Sequence, residues 1–346
     1  MTGLLISIVV PVHNGGESFK KCLASLSAVR DSFFELIVVV DGGVDDSWQA
    51  AERWGAKVIR LPQAGGPARA RNLGAAAAQG DVIFFVDADV CVHPATVERV
   101  AVAFEQDDHL AALIGSYDDA PGAPNFLSQY RNLLHHFVHQ TASTQATTFW
   151  GACGAVRREV FFKVGGFDER YRQPSIEDIE LGYRLTAANY QIGLRKDIQV
   201  KHLKCWKAGS LLRADFFYRA LPWTKLILKN KLFVNDLNLK VSSRISVALT
   251  YGILLLLVLA PLASIYGASM SAALWLVLSL FTSVMIGLNW QIYDFFWRKK
   301  GWWFMLRVIP WHWLYYLYSG LAFVIGWTRH RLSQLFPVPL SVSSVR

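Results

Sequence analysis

Two long stretches without a charged residue constrain this chain more than any other feature. Residues 245–267 (ISVALTYGILLLLVLAPLASIYG) and 271–290 (SAALWLVLSLFTSVMIGLNW) each reach the roughly 20 apolar residues that cross a bilayer as a helix. Both are therefore predicted to be transmembrane helices, since a helix satisfies its own backbone hydrogen bonds in lipid. A third stretch, 308–327, is rich in Trp and Tyr and contains Pro310 and His312. It either spans the membrane or lies along its interface.

The charge distribution predicts how these helices are oriented. Up to Leu194 the chain has 16 basic and 22 acidic residues, and after it 19 basic and 4 acidic. Basic residues precede the first stretch and follow the second at 298–300, which predicts a multi-pass protein of the inner membrane with a cytoplasmic N-terminal domain. If the third stretch also spans, Arg329 and Arg331 lie outside, which the positive-inside rule disfavours. Because the basic region adjoins membrane spans, anionic lipids are favoured as partners over nucleic acid.

The N-terminal part of the chain alternates between apolar strand patterns and helix patterns. This predicts an α/β fold with a doubly wound parallel sheet. The first apolar run of the sequence is too short for a signal peptide and is predicted to be a strand. Ligands bind such sheets outside the carboxyl ends of the strands. Polar residues are expected there, although each also suits an ordinary turn: Pro11, His13, Asn14, Asp41, Asp87 and Asp89.

Asp87 and Asp89 follow the apolar strand predicted near residues 81–87. If the segment stays extended, the two carboxylates point the same way. The two carboxylates would then repel each other unless a cation lay between them, and their oxygen atoms are suitable ligands for Mg²⁺ or Mn²⁺. The alternative is that one Asp caps the next helix and the other is solvated.

Four segments in order resemble glycosyltransferase family 2, whose members have the GT-A fold. They are SIVVPVHNGGESFKKCLASL, ELIVVVDGGVDDSW, GGPARARNLGAAAAQGDVIFFVDADV and FWGACGAVRREVFFKVGGFDERYRQPSIEDIELGYRLTAANYQIGL. The resemblance implies a GT-A domain, that is, a Rossmann-like nucleotide-diphospho-sugar transferase, followed by the transmembrane helices. It also implies a divalent cation, Mg²⁺ or Mn²⁺, and a UDP-, GDP- or dTDP-sugar donor.

The resemblance further implies roles on the donor side. Pro11 and Asn14 would lie against the nucleotide, Asp41 would accept hydrogen bonds from the base, and Asp87 would face the ribose. Arg71 would lie near the base or the phosphates; a surface helix position is its alternative. The metal would be held by Asp89 and by His202, for which a structural role is the alternative.

On the acceptor side, Asp178 matches the family's general base, with Glu177 beside it to orient the acceptor or the loop. The pair precedes an apolar helix pattern, so helix capping is the alternative role. Trp150, Arg219 and Trp223 are further candidates for the acceptor or the membrane face. The segment around Arg219 resembles the Q-x-x-R-W element of processive synthases but lacks its Gln, and an amphipathic interfacial helix is favoured.

The predicted organisation is a cytosolic GT-A domain at 1–230, an interfacial segment at 205–244 and a membrane region at 245–346 with two or three spans. The expected function is inverting transfer of a sugar to a lipid-linked or amphiphilic acceptor. The alternatives are a subunit of a processive polysaccharide synthase and a non-catalytic membrane scaffold with a nucleotide-binding fold. A nucleotidyltransferase would also use D-x-D, but it does not account for the Glu-Asp pair.

Overall fold

The computed structural model describes residues 3–230 and 240–335. The chain divides into two compact units, and the division falls between Leu211 and Leu212. The predicted domain boundary at 230 lies later in the chain and stays a prediction. Part of the predicted interfacial segment, 231–239, lies outside the described residues.

The first unit is built on one mixed sheet. Within its described residues the nine strands are β1 (Ile6–Val12), β2 (Glu35–Asp41), β3 (Lys57–Leu61), β4 (Val82–Val86), β5 (Val90–Val92), β6 (Leu110–Tyr117), β7 (Gln145–Ala146), β8 (Cys153–Arg157) and β9 (Gln191–His202). The helices are α1 (Gly16–Ser27), α2 (Ser47–Trp54), α3 (Pro67–Ala77), α4 (Thr96–Gln106), α5 (Phe126–Thr141), α6 (Arg158–Lys163) and α7 (Glu177–Ala187). A short helix, α8 (Ala208–Arg213), contains the division between the units.

The strand order is β3-β2-β1-β4-β8-β6-β9-β5, and β7 pairs with β9 outside this row. Strands β3, β2, β1 and β4 are mutually parallel, as the doubly wound prediction requires. Beyond β4 the sheet departs from that pattern, because β8 runs antiparallel to both β4 and β6. Strand β5 also pairs antiparallel with the end of β9, so that Val90 lies opposite His202.

The central strands are buried on both faces, which explains their unbroken apolar sequences. All five residues of β4 are buried. Alternate strand residues serve opposite layers: Ile8 and Phe84 pack with α1 and α4, whereas Val9 and Phe85 pack with α3, α6 and α7. The two layers hold the strand ends in place, and the polar residues at those ends form the candidate site.

The second unit is helical. A π-helix (Ala214–Ala220) leads into α9 (Leu221–Asn230); then follow α10 (Val241–Leu262) with a 3₁₀ turn (Ala263–Tyr266), α11 (Ala268–Leu288), α12 (Trp290–Lys300) and α13 (Trp302–Leu335). Three segments of the described chain are long and apolar enough to cross a membrane, namely 241–266, 268–288 and 302–335. The first two coincide with the predicted spans. The third is longer than the predicted 308–327 and contains Pro310 within the helix.

Candidate active site

The turn after β1 is tied to the loop after β2. Pro11 lies inside β1 rather than after it, beyond the last β1 residue that pairs with β4, so its missing N–H breaks no bond to that strand. Ring atom Nδ1 of His13 lies 2.6 Å from the carbonyl oxygen of Asp41. Asn14 has a left-handed φ of 51°, which Asn tolerates, and its Oδ1 accepts a hydrogen bond from the Val44 N–H at 2.9 Å. These contacts fix the turn in which Asn14 lies.

The carboxylate of Asp41 orders the loop that precedes α3. Its Oδ1 accepts the N–H of Gly65 at 2.7 Å and its Oδ2 accepts the N–H of Gly66 at 2.8 Å. Gly66 has a φ of +93°, and a Cβ there would lie 2.5 Å from the carbonyl oxygen of Arg172, so only glycine fits. Asp41 is therefore part of the loop framework, and its contact with a nucleotide base stays a prediction.

Arg71 joins the donor side to the acceptor side. It is 4% exposed, so the surface alternative for this residue is wrong. Its Nη2 donates to Asp87 Oδ1 at 2.7 Å and its Nη1 donates to Glu177 Oε1 at 3.0 Å. A Cβ on Gly151 would lie 2.9 Å from the guanidinium carbon, so the backbone closes over it. Burial lowers the pKa of Arg71, but the charges of the two carboxylates outweigh burial and raise it above its usual value.

The two aspartates of D-x-D have separate partners. The segment from Asp87 to Asp89 forms a turn, in which the N–H of Val90 donates to the Asp87 carbonyl at 3.0 Å. The expectation of an extended segment is therefore wrong. The chain turns here because β5 follows immediately and pairs with β9, which directs Asp89 toward His202 while Asp87 binds Arg71.

Asp89 and His202 form a pair suited to a divalent cation. The distance from Asp89 Oδ2 to His202 Nε2 is 3.5 Å, and His202 Nδ1 lies 2.7 Å from Asn132 Oδ1. An amide oxygen can only accept, so Nδ1 carries a proton, and Nε2 is the ring atom that faces Asp89. Burial raises the pKa of Asp89, but His202 and the charge of Lys204 outweigh it, and the pKa lies below its usual value.

A carboxylate oxygen and an imidazole nitrogen are acceptable ligands for Mn²⁺ or Mg²⁺. No group of three or more His, Cys, Asp or Glu ligands occurs in the part of the chain that the structure describes. The pair therefore fits a cation that takes its other ligands from diphosphate and water. Asn132 was not predicted; the signal was the spacing of Asn132, His135, His136 and His139, which share one face of α5.

Asp178 lies in the first turn of α7. Its Oδ1 accepts the N–H of Ile179 at 2.8 Å and its Oδ2 accepts the N–H of Gly151 at 3.1 Å. Burial, followed by the charge of Glu177, raises the pKa of Asp178 from 3.8 to about 6, although both hydrogen bonds and Arg71 favour the ionised form. The carboxylate thus accepts an N–H of the first helical turn, although the N-cap residue is Ile176 and has no side-chain cap hydrogen bond. It is also more basic than an ordinary aspartate.

Trp150 belongs to a cluster of aromatic rings beside Asp89 and His202. Its ring centroid lies 4.7 Å from that of Tyr117 and 4.6 Å from that of His135. Tyr117 in turn stacks on His202 at 4.4 Å with an interplanar angle of 8°. The cluster connects Trp150 to the predicted metal ligand through one tyrosine, which the sequence did not indicate.

The remaining two candidates lie in the second unit. Arg219 is in the π-helix, where its Nη1 donates to Asp215 Oδ1 at 2.7 Å. The other oxygen of this buried carboxylate accepts the hydroxyl of Tyr318 at 2.6 Å. Trp223 lies in the first turn of α9. Their predicted contacts with an acceptor or the membrane stay predictions.

A parallel half-sheet, a D-x-D turn at the end of β4 and an acidic pair at the start of α7 define a GT-A-type domain. Residues 7–165 match the glycosyl transferase family 2 profile, and residues 131–205 match the N-terminal domain of galactosyltransferase. The chain therefore contains a glycosyltransferase family 2 domain, which confirms the predicted family and fold class.

Relatives agree with this assignment, and a solved structure shares the fold. The chain is 32% identical over 208 residues to the O-antigen biosynthesis protein RfbC of Myxococcus xanthus, covering 55% of this chain and 15% of that one. It is 38% identical over 107 residues to the uncharacterized glycosyltransferase EpsJ of Bacillus subtilis, covering 30% and 31%. These matches span less than a third of either relative's length. The mannosyltransferase PcManGT of Pyrobaculum calidifontis, solved with GDP-Man and Mn²⁺, shares the fold with a TM-score of 0.60 at 17% identity, over 90% of this chain and 87% of that one.

Proposed function

We propose that this protein is an inverting glycosyltransferase that moves a sugar from a nucleotide-diphosphate sugar to a lipid-linked or amphiphilic acceptor at the cytoplasmic face of the inner membrane. The observation that carries the proposal is the position of Arg71 between Asp87 and Glu177. This ion pair joins the donor-side turn to the helix end that holds Asp178. The buried guanidinium of Arg71 thereby links Asp87 to the residue beside the candidate base.

The proposed donor site follows the carboxyl ends of β1, β2 and β4. Pro11 and Asn14 would lie against the nucleotide, Asp41 would receive the base, and Asp87 would receive the ribose. Arg71 would position Asp87 and Glu177 rather than contact the donor, because both of its terminal nitrogens donate to these carboxylates. The fold relative from P. calidifontis is described in complex with GDP-Man, which supports a nucleotide-sugar donor.

Asp89 and His202 would hold a Mn²⁺ or Mg²⁺ ion. When bound, such an ion neutralises negative charge that develops on a diphosphate leaving group. Asn132 keeps the His202 lone pair directed at the site through the 2.7 Å contact with Nδ1. Tyr117 stacks on the His202 ring and so fixes the plane of that ring.

Asp178 would act as the general base. It takes the proton of an acceptor hydroxyl while that oxygen attacks the anomeric carbon and the bond from this carbon to the diphosphate breaks. Attack from the side opposite the leaving group inverts the anomeric centre. With a polyprenyl phosphate acceptor the oxygen is already anionic, and Asp178 would then orient the acceptor rather than deprotonate it. Glu177 keeps Arg71 in place and reaches no substrate in this proposal.

The candidate membrane helices support the proposed lipid-linked acceptor. Helices 241–266 and 268–288 are long and apolar enough to anchor the chain. Trp150 is the proposed contact for the acceptor sugar or lipid, and Arg219 and Trp223 are proposed to lie at the membrane face. Transfer of a single sugar is favoured over processive synthesis, since the three candidate spans found in the described residues are few for a polysaccharide channel.

The test is metal-dependent release of UDP, GDP or dTDP by membranes that contain the protein, with and without lipid acceptors. Asp178→Asn and Asp89→Ala are expected to abolish release above background. Asp108→Asn, which changes an exposed aspartate after α4, serves as the matched control and is expected to behave as wild type. Equal turnover in all four proteins would exclude the enzymatic proposal and favour a nucleotide-binding scaffold.

A further inference from the structure

Three helices of the second unit meet at a buried polar cluster. Asn289, just after α11, donates to the Ser246 hydroxyl in α10 at 3.0 Å and accepts the Tyr316 hydroxyl of α13 at 2.7 Å. All three residues are buried. Since α10 and α11 are consecutive spans joined by a turn at Gly267, the cluster lies at the membrane side from which α10 starts. The middle of α13 is therefore at that same side.

The C-terminal half of α13 packs against the segment that precedes α10. The Tyr318 hydroxyl donates to Asp215 of the π-helix at 2.6 Å. A Cβ on Gly326 would lie 2.6 Å from the Thr224 side chain of α9. Because residues 214–230 come before the first span, residues 318–326 of α13 are on the side from which that span starts.

The N-terminal end of α13 is held on this side as well. Helix α12 begins at Trp290, directly after Asn289, and ends at Lys300, so it is about 16 Å long, roughly half of the 30 Å hydrocarbon core. It folds back on α13 as an antiparallel hairpin: Trp313 donates to the Tyr293 hydroxyl at 3.1 Å, and the rings of Phe296 and Phe304 lie 5.7 Å apart. Through so short a helix, Trp302 cannot reach the opposite face.

We propose that α12 and the first half of α13 form an interfacial hairpin that binds the anionic headgroup layer, and that α13 does not cross the membrane. Residues 290–312 contain four basic residues against one acidic residue, Asp294, which pairs with Arg298 at 2.9 Å. The hairpin also exposes large aromatic side chains, which prefer the headgroup level. They are Trp290, Trp297, Trp302 and Trp303.

The alternative placement inserts the hairpin into the bilayer alongside α10 and α11. The basic residues 298–300 would then lie about 15 Å deep, close to the midplane, where a charge is most costly. In the headgroup layer the same residues meet lipid phosphates. The interfacial placement also leaves Arg329 and Arg331 on the side of the other basic residues, in agreement with the positive-inside rule.

Cysteine labelling with a membrane-impermeant maleimide on sealed, oriented vesicles tests the topology. Cys205 is exposed and precedes the first span, so it marks the near side. In the Cys205→Ser background, Lys300→Cys and Ser333→Cys are expected to label from the near side, and Ser264→Cys, in the turn between the spans, from the far side. Opposite sides for Lys300→Cys and Ser333→Cys, or a Lys300→Cys that reacts only in detergent, would overturn the proposal. Cys205→Ser alone gives the background from the remaining thiols.

Hydrogen exchange of the full chain in nanodiscs tests the lipid partner. Amides of α12 are expected to exchange more slowly when phosphatidylglycerol is added to phosphatidylcholine, because the basic residues bind its phosphate. The triple variant R298Q, K299Q, K300Q should lose this lipid dependence, while exchange in α4 stays unchanged in both proteins. Equal exchange of wild-type α12 in the two lipids would rule out the anionic headgroup as the partner.

Discussion

Replacing Asp178 by Asn is expected to remove activity and to stabilise the protein. Burial and Glu177 raise the pKa of Asp178 from 3.8 to about 6. At about 1.4 kcal/mol per tenfold change, ionised Asp178 therefore lowers the free energy of unfolding by about 3 kcal/mol at neutral pH. An Asn of the same shape carries no charge and avoids this cost. It keeps one of the two hydrogen bonds to Gly151 and Ile179 and loses the other, which costs about 1 kcal/mol.

The net gain for Asp178→Asn above pH 6 is therefore about 1–2 kcal/mol, or roughly 2–8 °C in Tm for a unit of this size. The gain depends on pH in a definite direction. Between 3.8 and about 6 the folded wild type binds more protons at this site than the unfolded chain, so its stability falls as pH rises through that window. At pH 5 ionisation of Asp178 lowers the free energy of unfolding of the wild type by only about half as much as at neutral pH. The stability gain of Asp178→Asn is therefore smaller at pH 5.

The assay is thermal unfolding of the detergent-solubilised full chain at two pH values, one near 5 and one above 7. Asp108→Asn controls for the loss of a negative charge at an exposed site. The reasoning is refuted if Asp178→Asn is less stable than wild type above pH 7, or if its gain is the same at both pH values. Full transfer activity in Asp178→Asn would separately refute its role as base.

Three further outcomes are expected. The kcat/KM for transfer to a hydroxyl acceptor should fall on the acid side with an apparent pKa of about 6, as Asp178 becomes protonated; a flat profile would indicate an acceptor that is already anionic. Arg71→Met should cost about 3–5 kcal/mol, because Glu177 stays buried without its cation; Tm measures this, with exposed Arg69→Met as control. Asn132→Leu should weaken Mn²⁺ binding by about 10- to 100-fold, measured by electron paramagnetic resonance, since it frees the His202 ring; unchanged affinity would contradict the assigned tautomer.

Much of the first half of the fold was predictable from local sequence. The strands up to β4 are buried runs with polar residues at their ends, and parallel pairing brings those ends to one edge. The later strands were not predictable in this way, because β5 and β9 pair across more than a hundred residues of chain. Local pattern does not encode such pairing. The turn at Asp87 and the direction of Asp89 both result from it.

Some residues of the candidate site could likewise be predicted from local sequence, and others depend on contacts between distant parts of the chain. His202 stands out because it follows an apolar strand pattern, and Asp178 stands out because it precedes an apolar helix pattern. The partners of Arg71 do not stand out, since they lie 16 and 106 residues away. Asn132 was missed because its spacing with the histidines of α5 marks a helix face but does not indicate that the sheet brings His202 to it. The topology of α13 likewise depends on tertiary contacts, since length and hydropathy alone describe it as a span.

The pairing of Arg71 with Glu177 also has a consequence for how the protein folds during synthesis. This contact closes a loop of more than a hundred residues, and such long loops are slow to form during folding. A ribosome must release most of the first unit before the guanidinium can meet its second carboxylate. Nascent chains that stop short of α7 therefore contain Asp87 as a partner for Arg71 but lack Glu177.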